Sequence, residues 1–285
     1  MPDWDHPPKR VVSLVPSITE SLFALGFGES LVGVTDYCTQ PAGQLSALMR
    51  VGGPKTPNLD VIEELKPDLV IGGWEETAKE RVEALSQRGL RVLLVFPKTV
   101  DDSVDLLRQI LALYHTDKRV EQVNGLQVAV DYARTAADSL QPVRYFCPIW
   151  FDQHEGIDWW MAFNQDTYMD DLLHLFGGEN IFANRERLYP IEADLGKGRP
   201  EPADGRDTRY PRVTAGEVIA AQPELILLPD DPYKFTDSDR AALEHALAAT
   251  PAVRNRKVFF IDGSLLAWYG VRLGQALRVL PEFFT

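Results

Sequence analysis

LDVIEELKPDLVI at 59–71 and GEVIAAQPELIL at 216–227 are the two stretches that decide the fold. Each runs acid-Val-Ile, a few residues, a proline, an acidic residue, then Leu and aliphatic residues. Proline has no N–H to donate and clashes with the preceding helical turn, so each stretch reads as a helix closed by Pro67 or Pro223. The short apolar run behind each proline reads as a buried strand. The prolines lie about 156 residues apart, close to one domain length, so the repeat points to two similar α/β lobes rather than a chance match.

The flanking sequence carries the same alternation. Residues 11–15 (VVSLV) read as a strand ended by Pro16, and Ser17-Ile-Thr-Glu20 fits a capping box that opens a helix. Strands follow at 31–35, 69–71 and 91–95, with helices at 59–65, where Asn58 is the N-cap, and 76–88. After Pro142 the pattern restarts with strands at 143–149, 225–228 and 258–261. Helices are expected at 166–176, 214–222, 237–248 and 272–284. Short apolar strands alternating with helices imply mostly parallel sheets covered on both faces. Between the halves, 117–140 reads as one uninterrupted helix, roughly 36 Å long at 1.5 Å per residue. The expected organisation is an N-terminal lobe at 1–116, a bridging helix at 117–140 and a C-terminal lobe at 141–285. Residues 192–211 are charged and rich in Pro and Gly, and read as a loop.

Composition narrows the function classes. The 285 residues carry a net charge of −13, which repels phosphate backbones and disfavours nucleic acid and anionic membranes as partners. Two cysteines, Cys38 and Cys147, are too few for a disulfide framework or a cysteine-built zinc site. No apolar run reaches the roughly 20 residues of a membrane span. The opening MPDWDHPPKR has no apolar leader core, so the expectation is a cytoplasmic chain or one whose leader has been removed. G-x-S-x-G, Walker and H-E-x-x-H motifs are missing, and no nucleophile is tied to a base, so an enzyme is not expected. Asp152, His154, Glu155 and Asp158 are weak metal-ligand candidates. No second histidine has useful spacing, so a polar loop is the favoured reading.

VVSLVPSITESLFALG, LVGVTDYC, NLDVIEELKPDLVI and ALSQRGLRVLLV in the first half resemble the class III periplasmic binding proteins. DLLHLFGGENIF, YPRVTAGEVIAAQPELILL and RKVFFIDGS continue the resemblance in the second half. These proteins are the cobalamin- and ferric-siderophore-binding components of ABC importers. The resemblance implies two Rossmann-like lobes with central, mostly parallel sheets, bridged by one long rigid helix, with ligand in an inter-lobe cleft. It also implies an extracytoplasmic location and a permease that meets one acidic residue on each lobe. Asp60 matches the first acid. In the second lobe Gly216 stands at the matching place and Glu217 follows it, a rotation of about 100° on a helix. Both acids also have a local reading as first-turn residues, and Thr214-x-x-Glu217 is itself a capping box.

The same resemblance nominates the ligand-binding residues. Tyr37 and Trp74 fall just past strand carboxyl ends, where α/β sheets bind ligands. Tyr210 stands where a tryptophan is usual, and Trp159, Trp160 and Met161 lie in a segment that presents another ring. Trp268, Tyr269 and Arg272 follow the last strand. Trp74, Trp159, Trp160 and Trp268 all fall on predicted loops, which favours exposure. Large flat rings suit a cobalamin-like ligand or an iron chelate such as a siderophore or haem, held non-covalently by a monomer. Pro54 replaces a tryptophan of the cobalamin binders, and Ser264 and Trp268 replace a polar pair. Arg185, Arg187, Arg199, Arg206, Arg209 and Arg212 crowd the long loop, which reads as a solvated charged segment or a positive cleft wall. The alternative function is a cytoplasmic corrinoid or metal-chelate handling protein, or an enzyme, on the same fold.

Overall fold

The computed structural model describes residues 6–284. The chain divides into two compact units. The first runs to Val128 and includes Trp268–Gly274; the second is Ala129–Ala267 with the chain from Gln275 onward. The division falls inside the long helix, which spans Val120–Ala137.

In the first unit, β1 (Val11–Ser13), β2 (Leu31–Val34), β3 (Met49–Arg50), β4 (Leu69–Gly73) and β5 (Val92–Val95) form one sheet in the order β3-β2-β1-β4-β5. Every pair in it is parallel. The central strands β1 and β4 are buried along their whole length, as expected for strands covered on both faces. Leu14, Val51, Ile62, Val70 and Leu85 make one core of this unit, joining the sheet to the helices Leu59–Glu64 and Lys79–Gln87. Asn58 caps the first of these helices as expected, its side chain accepting from the N–H groups of Asp60 and Val61.

Two local readings need correction here. The Ser17/Glu20 capping box does not form: the helix Pro16–Ala24 starts two residues earlier, with Val15 in place of Ser17 at the N-cap, and Ser17 is buried in its first turn. Proline at the first helical position has a pre-set φ and no orphan N–H, so it opens the helix without a side-chain cap. A helix at Val100–Leu113 was also missed. A Thr99/Asp102 capping box opens it, and Val100, Val104, Leu107 and Leu111 are buried at helical spacing.

The second unit contains β6 (Val143–Phe146), β7 (Trp150–His154), β8 (Ile157–Met161), β9 (Gly178–Asn180), β10 (Arg212–Thr214), β11 (Leu225–Pro229) and β12 (Val258–Ile261). A parallel sheet has the order β12-β11-β6-β9, and a separate antiparallel sheet has the order β10-β8-β7. The antiparallel sheet was not foreseen. Its hairpin turns on Glu155-Gly156, with φ of 48° and 77°, the pair of left-handed residues that a two-residue hairpin favours.

The repeat read from the sequence is built into backbone detail. After the helix Leu59–Glu64, Lys66 takes φ 46°; after the helix Ala215–Ala221, Gln222 takes φ 49°. Each turn delivers a proline, then an acid whose N–H bonds the carbonyl of the arginine at the start of the unit's first strand, just before β1 in the first unit and second in β6 in the second. These are Asp68 to Arg10 at 2.9 Å and Glu224 to Arg144 at 2.7 Å. The acid side chain accepts the same arginine's N–H, at 3.1 Å in both units. That arginine's guanidinium in turn donates to a carbonyl at the end of the helix, Leu65 or Ala221. Identical wiring at both places explains why the acid-Val-Ile…Pro-acid plan recurs.

Candidate functional site

The carboxyl ends of the first unit's parallel strands carry a set of rings. Tyr37 follows β2 and Trp74 follows β4, and each is 63% exposed, unusual for residues whose burial is worth so much. Phe96, directly after β5, is a third ring that sequence reading passed over; its centroid is 6.5 Å from that of Trp74, with planes 26° apart. The Trp74 backbone is anchored by its amide N–H, which donates to the Val95 carbonyl at 3.0 Å. The Lys98 ammonium lies 5.1 Å from the Phe96 centroid, adding a cation at the edge of the platform. At Gly53 an added Cβ would stand 3.6 Å from the Tyr37 ring, so this ring lies against bare backbone.

The segment after the last strand behaves differently. Tyr269 is buried at 7% exposure, and burial pushes its phenol well above its ordinary value. Arg272 is 8% exposed and bonds both carboxylate oxygens of Glu20, at 2.7 and 2.8 Å, with its guanidinium 5.0 Å from the Trp268 centroid. Its charge is therefore already matched within the first unit.

In the second unit, the expectation that Trp159 and Trp160 sit on an exposed loop is corrected. Both lie in β8 and are buried, at 5% and 3% exposure. Pleating sends them to opposite faces. Trp160 joins Phe146, Phe182 and Val213 in the core, while Trp159 shares the other face with Met161 and Arg212. Tyr210, just before β10, is part-exposed, and the Arg209 guanidinium lies 5.3 Å from its ring. Trp150, at 40% exposure, packs edge-on against Tyr233 at 5.5 Å and was not foreseen.

The predicted metal candidates lie on or beside the hairpin rather than in a free loop. His154 Nε2 is 3.2 Å from Glu192 Oε1, and Glu155 occupies the turn. Among the described residues no three His, Cys, Asp or Glu side chains gather so as to hold a metal ion. Of the docking acids, Asp60 has an 82% exposed side chain paired with Arg88 at 2.7 Å. Glu217 forms the expected capping box, accepting from Thr214 N at 2.9 Å, and its other oxygen accepts from Arg185 at 3.3 Å.

A family profile described as Periplasmic binding protein matches residues 11–265. A vitamin B12-binding protein of Vibrio cholerae serotype O1 is 28% identical over 266 residues, covering 91% of this chain and 83% of the relative. Among solved structures, the periplasmic vitamin B12 binding protein BtuF of Vibrio cholerae aligns with a TM-score of 0.74 at 25% identity, over 98% of this chain and 97% of that one. The periplasmic heme-binding protein RhuT from Roseiflexus sp. RS-1 aligns at 0.72 and 25% identity, over 97% of both chains. The family profile spans both units and every strand among the described residues. The chain belongs to the periplasmic binding protein family, as a ligand carrier and not an enzyme.

Proposed function

We propose that this substrate-binding protein takes up a broad, flat metal chelate, either a corrinoid or a haem-like iron chelate, and delivers it to the permease of an ABC importer outside the cytoplasm. The observation that carries the ligand class is the pair of exposed rings, Tyr37 and Trp74, with part-buried Phe96 beside Trp74, at the carboxyl ends of β2, β4 and β5. Flat rings left 63% exposed at the ligand-binding edge of a parallel sheet offer stacking area to a planar macrocycle. Relatives named for vitamin B12 and for heme support the same class. Within the second unit Tyr210 and Met161 offer a ring and a thioether, and within the first Trp268, backed by Arg272, offers a further ring. Asp60 and Glu217 are the acids offered to the permease, each at the start of the helix that carries the repeated motif.

Titration of cobalamin, cobinamide, haem and ferric siderophores against intrinsic tryptophan fluorescence tests the reading. Saturable quenching by one class, weakened in Trp74→Ala, is expected. Folded protein quenched by none of them overturns the ligand class.

A further inference from the structure

β8 and β10 pair antiparallel, with Met161 opposite Arg212, Trp160 opposite Val213 and Trp159 opposite Thr214. Trp160 and Val213 fill the core, so Trp159 and Arg212 share the reverse face, where the Arg212 guanidinium lies 5.3 Å from the Trp159 ring. That face is nearly closed to solvent: Trp159 is 5% exposed, and the Arg212 side chain 14%.

Four N–H donors there have no hydrogen-bond acceptor among the described residues: Trp159 Nε1, Arg187 Nε, and Arg212 Nε and Nη1. Indole and guanidinium groups carry donors only, so these groups cannot satisfy one another. The nearby acids are already engaged. Asp194, fully buried, accepts from the N–H groups of Leu188 and Arg212 at 2.9 Å and pairs with Arg185 at 3.1 Å; Arg212 Nη1 stands farther off, at 3.5 Å. Asp207 is taken by Arg209 through two bonds of 2.9 and 2.6 Å. Glu217 is held by Thr214 and Arg185. Arg187 makes no ion pair among the described residues and lies over the Tyr189 ring, which Arg206 also approaches, at 4.0 Å. Burial and the neighbouring Arg187 charge lower the pKa of Arg212, against the opposing pull of the Asp194 carboxylate.

We propose that Trp159 Nε1, Arg187 and Arg212 form a receptor for an oxyanion group on the ligand, a carboxylate or a phosphodiester. The assignment rests on the chelate-carrier reading and sharpens it: the cargo carries negative charge at its periphery in addition to a flat ring. An oxyanion supplies several acceptor lone pairs to donors that lack them, and it brings negative charge to Arg187, which makes no ion pair among the described residues.

The first test uses inorganic phosphate and the indole N–H resonances of nitrogen-15-labelled protein. The resonance missing from Trp159→Phe is expected to move saturably with phosphate. Arg187→Gln should weaken that binding about tenfold, the loss expected for one charge-assisted hydrogen bond. Arg212→Lys, which keeps the charge and removes the Nε donor, should weaken it in the same direction. A Trp159 resonance that stays still, or drifts without saturating equally in wild type and Arg187→Gln, overturns the receptor.

The second test compares haem with its dimethyl ester, and cobalamin with cobinamide, which lacks the nucleotide phosphodiester. A preference for haem over the ester identifies a carboxylate, and a preference for cobalamin over cobinamide identifies a phosphodiester. Tight binding of both members of each pair, with no phosphate response, rejects the receptor and leaves the chelate reading standing. A saturable phosphate response in a protein that binds no chelate does the reverse.

Discussion

Arg272 and Glu20, 252 positions apart, meet through two parallel bonds, Nε to Oε2 at 2.8 Å and Nη2 to Oε1 at 2.7 Å. The pair fastens the Trp268–Gly274 segment to the helix Pro16–Ala24, and the hydroxyl groups of Ser103 and Ser21 reinforce it by accepting from the N–H groups of Gly270 and Val271. With side chains 8% and 20% exposed, the two charges depend on each other rather than on water. Glu20→Gln is expected to cost about 3 kcal/mol, because it strands a buried guanidinium. Replacing both residues by methionine should cost less than Glu20→Gln or Arg272→Met alone. Urea midpoints of the three variants check this, and simple additivity of the single losses would refute it.

Trp74 and Trp160 make a controlled comparison. Trp74→Ala removes a ring that is 63% exposed and should shift stability by no more than about 0.5 kcal/mol, while weakening chelate binding at least about tenfold. Trp160→Ala empties a core position between Phe146 and Phe151 and should cost about 3–5 kcal/mol. Thermal melts and fluorescence titration of the same two proteins separate a binding ring from a structural one.

That comparison also shows what the chain discloses before folding. The parallel sheets are legible because β4 and β11 are buried on both faces, so their sequences are unbroken apolar runs punctuated by proline and glycine. β8 escapes the same logic. Its tryptophans face opposite ways yet both are covered, so IDWWM shows no alternation, and the Glu155-Gly156 turn was the one local signal of a hairpin. Tyr37 and Trp74 were accessible to reading because their place, just past a strand end, is itself a sequence feature. The Glu20–Arg272 pair and the donors around Trp159 were not. They join residues distant in the chain, and only the folded backbone decides which charges are matched and which N–H groups are left over.

The two thiols should be silent. Cys38 is 0% exposed, with its sulfur 3.2 Å from the hydroxyl oxygens of both Thr19 and Thr35, and Cys147 is 3% exposed with burial pushing its thiol far up. A thiolate is the reactive form, so Ellman's reagent should label neither in native protein and both after guanidinium unfolding. Rapid native labelling of Cys38 would mean the loop around Tyr37 opens readily.

Two buried phenols and one part-buried phenol set an alkaline limit. Burial raises Tyr114 from the ordinary 10.0 to about 12, against the opposing bond with Ser30, and carries Tyr145 and Tyr269 well above 10.0. A group whose folded pKa lies above its unfolded value stabilises fully below the unfolded value, and that contribution is lost as pH rises through the folded one. Stability should therefore fall from about pH 10 upward, and phenolate absorbance from these residues should appear together with unfolding. Ionisation of all nine tyrosines near pH 10 in folded protein would contradict this burial.

Besides accepting from Arg185, Glu217 has two roles that one substitution can part. Its carboxylate closes the capping box on Thr214 and also places a negative charge at the start of the helix Ala215–Ala221. Glutamine satisfies a capping box as glutamate does, so Glu217→Gln should keep stability within about 0.5 kcal/mol, whereas Glu217→Ala should lose about 1 kcal/mol. If the charge serves the permease, Glu217→Gln and Asp60→Asn should each reduce ligand transfer and stimulation of the transporter's ATPase, with chelate affinity unchanged. Asp60 makes the cleaner case, because its side chain is 82% exposed and Asn58, not Asp60, caps its helix. Full transfer by Asp60→Asn would remove the docking role from the first unit. Full transfer by Glu217→Gln, with loss confined to Glu217→Ala, would show that the second acid acts only by holding its helix.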